Sequence, residues 1–333
     1  MRITRETLLK NARDTITQRT RADRGIVSVY LTGSLLGDDY LMGGAADIDL
    51  VFVHTDRPEI EREIVRLIDE IHLDIAHHAQ RDYRQARSLR LHPWLGPTLN
   101  TCKPLYDPQH FLDFTQASVR GQFDRADNVV ARARQQAEHA RQIWSAYADS
   151  MPAPGPQAVT DYLRSVDHAA NAVASLSGPP LTERRYLLNF PARAEAAGRP
   201  GLQAGLLGLL GAPHAELETL RLWLPLWQAA FEALPPDPAL LRLAPARHAY
   251  YQLAFESLLN GNQPRAVLWP LLRTWTLAIS HLPVGGPQRQ AWVDACEHLG
   301  LQGPAFAERI QALDAFLDMV EETLEEWARI NGA

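Results

Sequence analysis

Cysteine and lysine are both scarce in this 333-residue chain. The two cysteines, Cys102 and Cys296, lie almost two hundred residues apart. They make neither a disulfide framework nor a zinc-ligand spacing, which points to a reducing compartment. Lysine occurs only at Lys10 and Lys103, so nearly all of the 33 basic residues are arginine. A GC-rich coding sequence explains that bias as well as any functional demand does. Positive charge is not in excess: 39 acidic residues leave a formal net charge of -6 and a pI of about 6.1. That argues against the general positive field needed to bind long nucleic acid. Long apolar runs are missing too. The stretch GLLGLLG, Gly205 to Gly211, falls far short of the roughly 20 residues that span a bilayer. The N-terminal MRITRETLLKNARD lacks the apolar core of a signal peptide and reads as an amphipathic helix capped by Thr4. No membrane partner is expected, and the expected location is cytoplasmic.

What is present is globular. With 46% hydrophobic and 22% charged residues, the composition is that of a folded protein, and the length suits two domains. Up to residue 108 the pattern alternates: helix 4–20, strand 26–32, strand 46–54, helix 57–71, strand 72–77. The helix 57–71 is inferred from Ile60, Ile64, Leu67, Ile68 and Ile71 at helical spacing, with Asp56 as cap and Pro58 in the first turn. The runs IVSVYLT and DIDLVFVH are apolar on both faces, as central strands are. After residue 108 the strand signals stop. A helix over 111–148 runs into the breaker-rich loop MPAPGPQ, and further helices follow. The expected fold class is α+β: an N-terminal domain with a small mixed sheet, residues 1–108, then an all-α helical bundle, 109–333. The cleft between them is the expected active site.

Two carboxylates interrupt the second strand. In an extended chain Asp47 and Asp49 project from one face while Ile48, Leu50 and Phe52 project from the other. Two acids that close repel one another, and near a sheet interior they must neutralise or find a cation. Mg²⁺ suits them, since it takes hard oxygen ligands, often one or two carboxylates plus a substrate phosphate. Asp74, in the short strand IHLDIAHH, supplies a third acid if its strand lies beside that of Asp47. Three such acids can hold two metal ions for an in-line displacement. Gly33 and Ser34 follow the first strand, where glycine permits close approach and amide N–H groups with the Ser hydroxyl can bind phosphate.

The ordered set TGSLLGDDYLMGGAADIDLVFV resembles the signature of the nucleotidyltransferase superfamily that includes DNA polymerase beta and the aminoglycoside nucleotidyltransferases. Asp74 is similar in kind and order to that family's third acid, and CKPLYD, Cys102 to Asp107, to its closing segment. The resemblance covers about residues 5 to 108. It implies Mg²⁺-dependent transfer of a nucleoside monophosphate from an NTP, ATP first, to a hydroxyl of a small polar acceptor such as an aminoglycoside-like antibiotic. Asp47, Asp49 and Asp74 would be the catalytic and metal residues and Gly33 with Ser34 the nucleotide-binding ones. Alternatives left open are a protein-nucleotidylating regulatory or toxin-antitoxin component and a catalytically silent nucleotide-binding module. Two departures stand out: Leu35, Leu36 and Gly37 replace the basic residue common after the Ser, and the spacer before Asp47 is long and Gly-rich, as a flap would be.

Bland readings suit other features. His72, Asp74, His77 and His78 lack the partners of a zinc site. Lys103 is held evenly between phosphate contact and surface turn. Glu321, Glu322, Glu325 and Glu326 read as a solvated helix face, and Trp223, Trp227, Trp269, Trp275 and Trp292 as bundle core.

Overall fold

The central strands form where the sequence is β-branched and apolar on both faces. The structure, a computed structural model, describes residues 3–150, 153–235, 237 and 239–333. Met1, Arg2 and the first two residues of the MPAPGPQ loop therefore lie outside the described residues. Strands β1 (Ile26–Thr32), β2 (Ala46–His54), β3 (Arg62–Ile68), β4 (Ile71–Ala79) and β5 (Lys103–Tyr106) build one sheet in the order β3-β4-β2-β1-β5. The β2–β4 pair is parallel and the other pairs are antiparallel. The sheet is thus mixed, as the sequence predicts.

Helix α1 (Arg5–Ala22) starts at Thr4, whose hydroxyl accepts from the Thr7 amide. It lays Leu8, Ala12 and Ile16 on one sheet face, against Val29, Leu31, Ile48, Leu50, Phe52, Leu73 and Ile75. The other face carries Tyr30, Val51 and Val53. They are covered by Leu89 of α2 (Ala86–Leu91), Leu99 of α3 (Leu95–Thr101), and Leu112 and Val119 of α4 (Phe111–Arg120). Asp47 and Asp49 share this second face by strand alternation.

Residues 57–71 are not a helix. They contain β3, which pairs antiparallel with β4 across the two residues Asp69 and Glu70. The helical spacing of the isoleucines and leucines misled because β3 is an edge strand: Ile60, Leu67 and Ile68 stay exposed, and Val65 packs only half-buried against the core. What fixes the strand is charge. Arg62 pairs with Asp74 on one side, while Glu63 meets His77 and Arg19 on the other. The helix expected over 111–148 is also broken. It divides into α4, which stops at Gly121, and α5 (Ala126–Asp149), because the chain turns there to seat Phe123 in the sheet's second core cluster.

Beyond Tyr106 the described residues contain no further strand. Helices α6 (Pro156–Ala174), α7 (Tyr186–Ala196), α8 (Leu202–Leu209), α9 (Leu217–Glu232), α10 (His248–Leu259), α11 (Leu268–Ser280), α12 (Pro287–His298) and α13 (Phe306–Asn331) follow. By contacts the chain divides into two units. One is Met1–Asp124 with Pro236–Ser257, and the other is Arg125–Pro235 with Leu258–Ala333.

In the helical unit the tryptophans are core. Trp227, Trp269, Trp275 and Trp292 are buried, with Trp227 Nε1 donating to Thr274 and Trp292 Nε1 to Thr276. Acids of α13 meet arginines of their own unit: Arg141 donates to Asp314, Asp318 and Glu321, Arg134 to Glu325 and Arg199 to Glu326. Among the described residues no helix is long and apolar enough to cross a membrane.

Candidate functional site

Parallel pairing of β2 with β4 sets Asp49 directly opposite Asp74 and Asp47 opposite His72. Carboxylate oxygens of Asp47, Asp49 and Asp74 all lie within 4.8 Å of one another. This is the one group of three or more His, Cys, Asp or Glu among the described residues arranged to hold a metal ion. Asp47 and Asp74 are buried, Asp74 only 2% exposed, while Asp49 is half-buried. Burial, then the neighbouring Asp47 and Asp74 charges, push the Asp49 carboxyl well above the usual carboxylate range.

Part of that repulsion is relieved by residues that sequence reasoning did not select. Arg62 grips Asp74 in a two-pronged pair, Nε to Oδ1 at 2.5 Å and Nη2 to Oδ2 at 2.7 Å. Arg247 donates to Asp74 Oδ2 as well, and its Nη2 stands 3.8 Å from Asp47. Tyr250 donates its hydroxyl proton to Asp47 Oδ2 at 2.7 Å. Three carboxyl groups thus meet two guanidiniums, and crowding falls on Asp49, whose charged form is disfavoured. Asp49 is the acid for which no hydrogen bond or ion pair is seen among the described residues. Arg247 and Tyr250 come from the segment at the start of α10, 173 residues beyond Asp74 for the arginine. Nothing in PARHAYYQ marks them beforehand, and Arg62 was hidden by the helix reading.

The Gly-Ser turn touches the acids directly. Gly33 has φ +74°, and a Cβ added there would fall 1.8 Å from Asp49 Oδ2. Glycine is thus required both by the backbone conformation and by the carboxylate that fills its missing side chain. Gly33→Ala is expected to cost about 2 kcal/mol of stability by forcing Asp49 aside, measured as a lower denaturant midpoint; an unchanged midpoint would contradict the packing. Among the described residues Ser34 Oγ is buried without a hydrogen-bond partner. A buried hydroxyl left unmatched beside three acids fits a group that brings oxygen and charge of its own. The residues present therefore suit a hard divalent cation and a phosphate.

Other candidates fall elsewhere. The spacer before Asp47 docks at Gly43 (φ +61°), where an added Cβ would lie 2.0 Å from the Leu253 carbonyl oxygen of α10. Lys103 is exposed on β5, opposite Leu31. The histidines separate: His78 Nδ1 bonds the Tyr83 hydroxyl at 2.6 Å, and His77 faces the α1 side of the sheet. There His54 and His77 share a 2.9 Å bond, His77 contacts Glu63 at 2.9 Å, and Arg19 pairs with Glu63. His77, then Arg19, hold the Glu63 carboxyl down to about 2, and burial, then His77, lower His54.

Both shifts act in the same direction. A depressed carboxylate contributes stability above its ordinary value of 4.5 that is lost as pH falls toward about 2. A histidine kept neutral loses stability as pH falls below its ordinary 6.5. Stability is therefore expected to fall in two stages on acidification. Glu63→Gln should remove about 1 kcal/mol at pH 7, the pair being half open to solvent, and should flatten the lower stage in an acid titration followed by circular dichroism.

No protein-family model and no curated protein matches the chain. Among solved structures it is similar to a nucleotidyltransferase-like protein from Exiguobacterium sibiricum 255-15, at 11% identity and a TM-score of 0.28, over 94% of this chain and 91% of that one. At that distance the likeness decides neither fold nor activity. The weight rests on the site itself, a mixed five-stranded sheet presenting three converging acids beside a Gly-Ser turn.

Proposed function

We propose that the acid cluster is the metal centre of a nucleotidyltransferase moving a nucleoside monophosphate from an NTP, ATP first, to a hydroxyl of a small polar acceptor, with an aminoglycoside-like molecule as the first class to try. The observation that carries this reading is the convergence of Asp47, Asp49 and Asp74, with ligand oxygens within 4.8 Å of one another. Asp47 and Asp49 would hold Mg²⁺, with Asp74 completing the set or serving as base. The ion would neutralise charge on the attacking oxygen and on the departing pyrophosphate. Ser34 would donate its hydroxyl, and the Gly33 turn its amides, to the β- and γ-phosphates.

The acceptor oxygen bonds to the α-phosphorus as the bond from that phosphorus to the oxygen bridging the β-phosphate breaks. Pyrophosphate leaves with the bond's electron pair, and the hydroxyl proton passes to Asp74. Arg62 leaves room for this role: once Arg247 withdraws, a lone pair of Asp74 Oδ2 is free. In this reading residues 1–108 are the transferase domain, and the helical part, 109–333, binds the acceptor or a partner. Two buried free thiols, Cys102 and Cys296, support a reducing, cytoplasmic setting.

A second reading draws on Arg247 and Tyr250, which occupy the acids as a cation would: a nucleotide-binding module without turnover, or one that acts on a protein. Labelled ATP with Mg²⁺ separates these. Label on small hydroxyl acceptors with pyrophosphate release supports transfer to a small molecule, and label on protein supports the regulatory alternative. Absence of pyrophosphate release across all NTPs and acceptors overturns the enzyme reading.

A further inference from the structure

Within the helical unit, α7, α8 and α9 and the chain after α10 enclose a cavity of about 390 Å³. Its size falls at the lower end of the range for small-molecule sites. Half-buried Leu207 and Leu217 form its accessible apolar wall in front of the fully buried Phe190, Leu206 and Leu220, while Gln203, Asn262, Gln263 and Arg265 bring polar groups to it. None of the 13 lining residues is acidic. Among the described residues the Arg265 side chain makes no ion pair or hydrogen bond that is seen, its carbonyl alone accepting from the Leu268 amide, and the residue is exposed to solvent.

We propose that this cavity binds a small amphipathic carboxylate, its apolar body against Leu207 and Leu217 and its anionic head on Arg265. The walls favour apolar surface removed from water. A guanidinium in a lining that also carries the side-chain amides of Gln203, Asn262 and Gln263 favours a planar anion, which it can meet with two parallel N–H groups. The same features reject a polycation, since nothing in the lining offers a negative charge. The occupant is thus chemically opposite to an aminoglycoside and distinct from the acceptor suggested above. The proposal does not depend on nucleotidyl transfer.

The probe is 8-anilinonaphthalene-1-sulfonate, an apolar anion that brightens on leaving water, competed by decanoate or by the uncharged decanol. The full chain should bind one dye saturably, and decanoate should displace it at about tenfold lower concentration than decanol. Arg265→Gln should weaken decanoate about tenfold and decanol less than twofold. Leu207→Trp, at a half-buried lining position, should abolish dye and decanoate binding with the thermal midpoint retained. If that variant fails to fold, Gln203→Trp gives the same reading from a more polar position. Dye binding that survives a folded cavity-filling variant, or decanoate no better than decanol, would overturn the proposal.

Discussion

Asp49→Asn is expected to abolish Mg²⁺-dependent pyrophosphate release, by about a thousandfold or more, while raising the thermal midpoint. The two effects have separate origins. A metal at the acid cluster would contribute several kcal/mol to the transition state, and about 4 kcal/mol corresponds to a thousandfold in rate. Stability moves the other way because Asp49 is the acid without a hydrogen-bond or ion-pair partner among the described residues, confined against Asp47 and Asp74. An amide of the same shape removes that repulsion, a gain of about 1 kcal/mol or 2 to 4 °C. Asp47→Asn should lose turnover as fully and gain less stability, since it weakens the contacts from Tyr250 and Arg247. Steady-state kinetics beside a calorimetric melt check both. Retained turnover with a lowered midpoint in Asp49→Asn would remove these acids from the reaction.

Arg247→Ala is expected to lose about 3 kcal/mol in metal-free buffer, because deleting one partner of a buried ion pair leaves the other charge stranded. Asp74 and Asp47 would then face Asp49 with Arg62 as the remaining guanidinium seen at the cluster. The consequence is a strong dependence on Mg²⁺. A divalent ion binding the folded acids and not the unfolded chain restores stability by mass action. Millimolar Mg²⁺ should therefore recover most of the deficit in the variant and shift the parent much less, since there the ion must first displace the guanidinium. Urea titrations with and without Mg²⁺ read this directly. An equal deficit in both buffers would show that the acids hold no metal.

The sheet's centre and the acid pair were legible because the physics there is local. Strand alternation puts Asp47 and Asp49 on one face whatever the rest of the chain does, and β1 and β2 declare themselves by β-branched runs. The convergence of Asp74 depended on strand order, yet its position within an apolar strand was enough to anticipate it. β3 was missed because a half-exposed edge strand lacks clean two-residue alternation, which left the helical spacing of Ile60, Ile64, Leu67 and Ile68 as the stronger signal. Its two-residue hairpin, Asp69 and Glu70, also lacks the glycine that usually announces one. Helices α4 and α5 were fused because Gly121 alone is a weak stop; the burial of Phe123 decided the break. Arg247 and Tyr250 were beyond reach, since their role depends on where a distant segment docks.

That distance also orders events at the ribosome. Asp74 is made 173 residues before Arg247, a delay of roughly 10 to 35 seconds at the usual rates of synthesis. Until Arg247 emerges, the three acids can meet only one of the two guanidiniums that contact them in the folded chain. The first-made strands therefore wait on a late-made helix to settle, and a chaperone or metal ion that meets the emerging chain finds them still open.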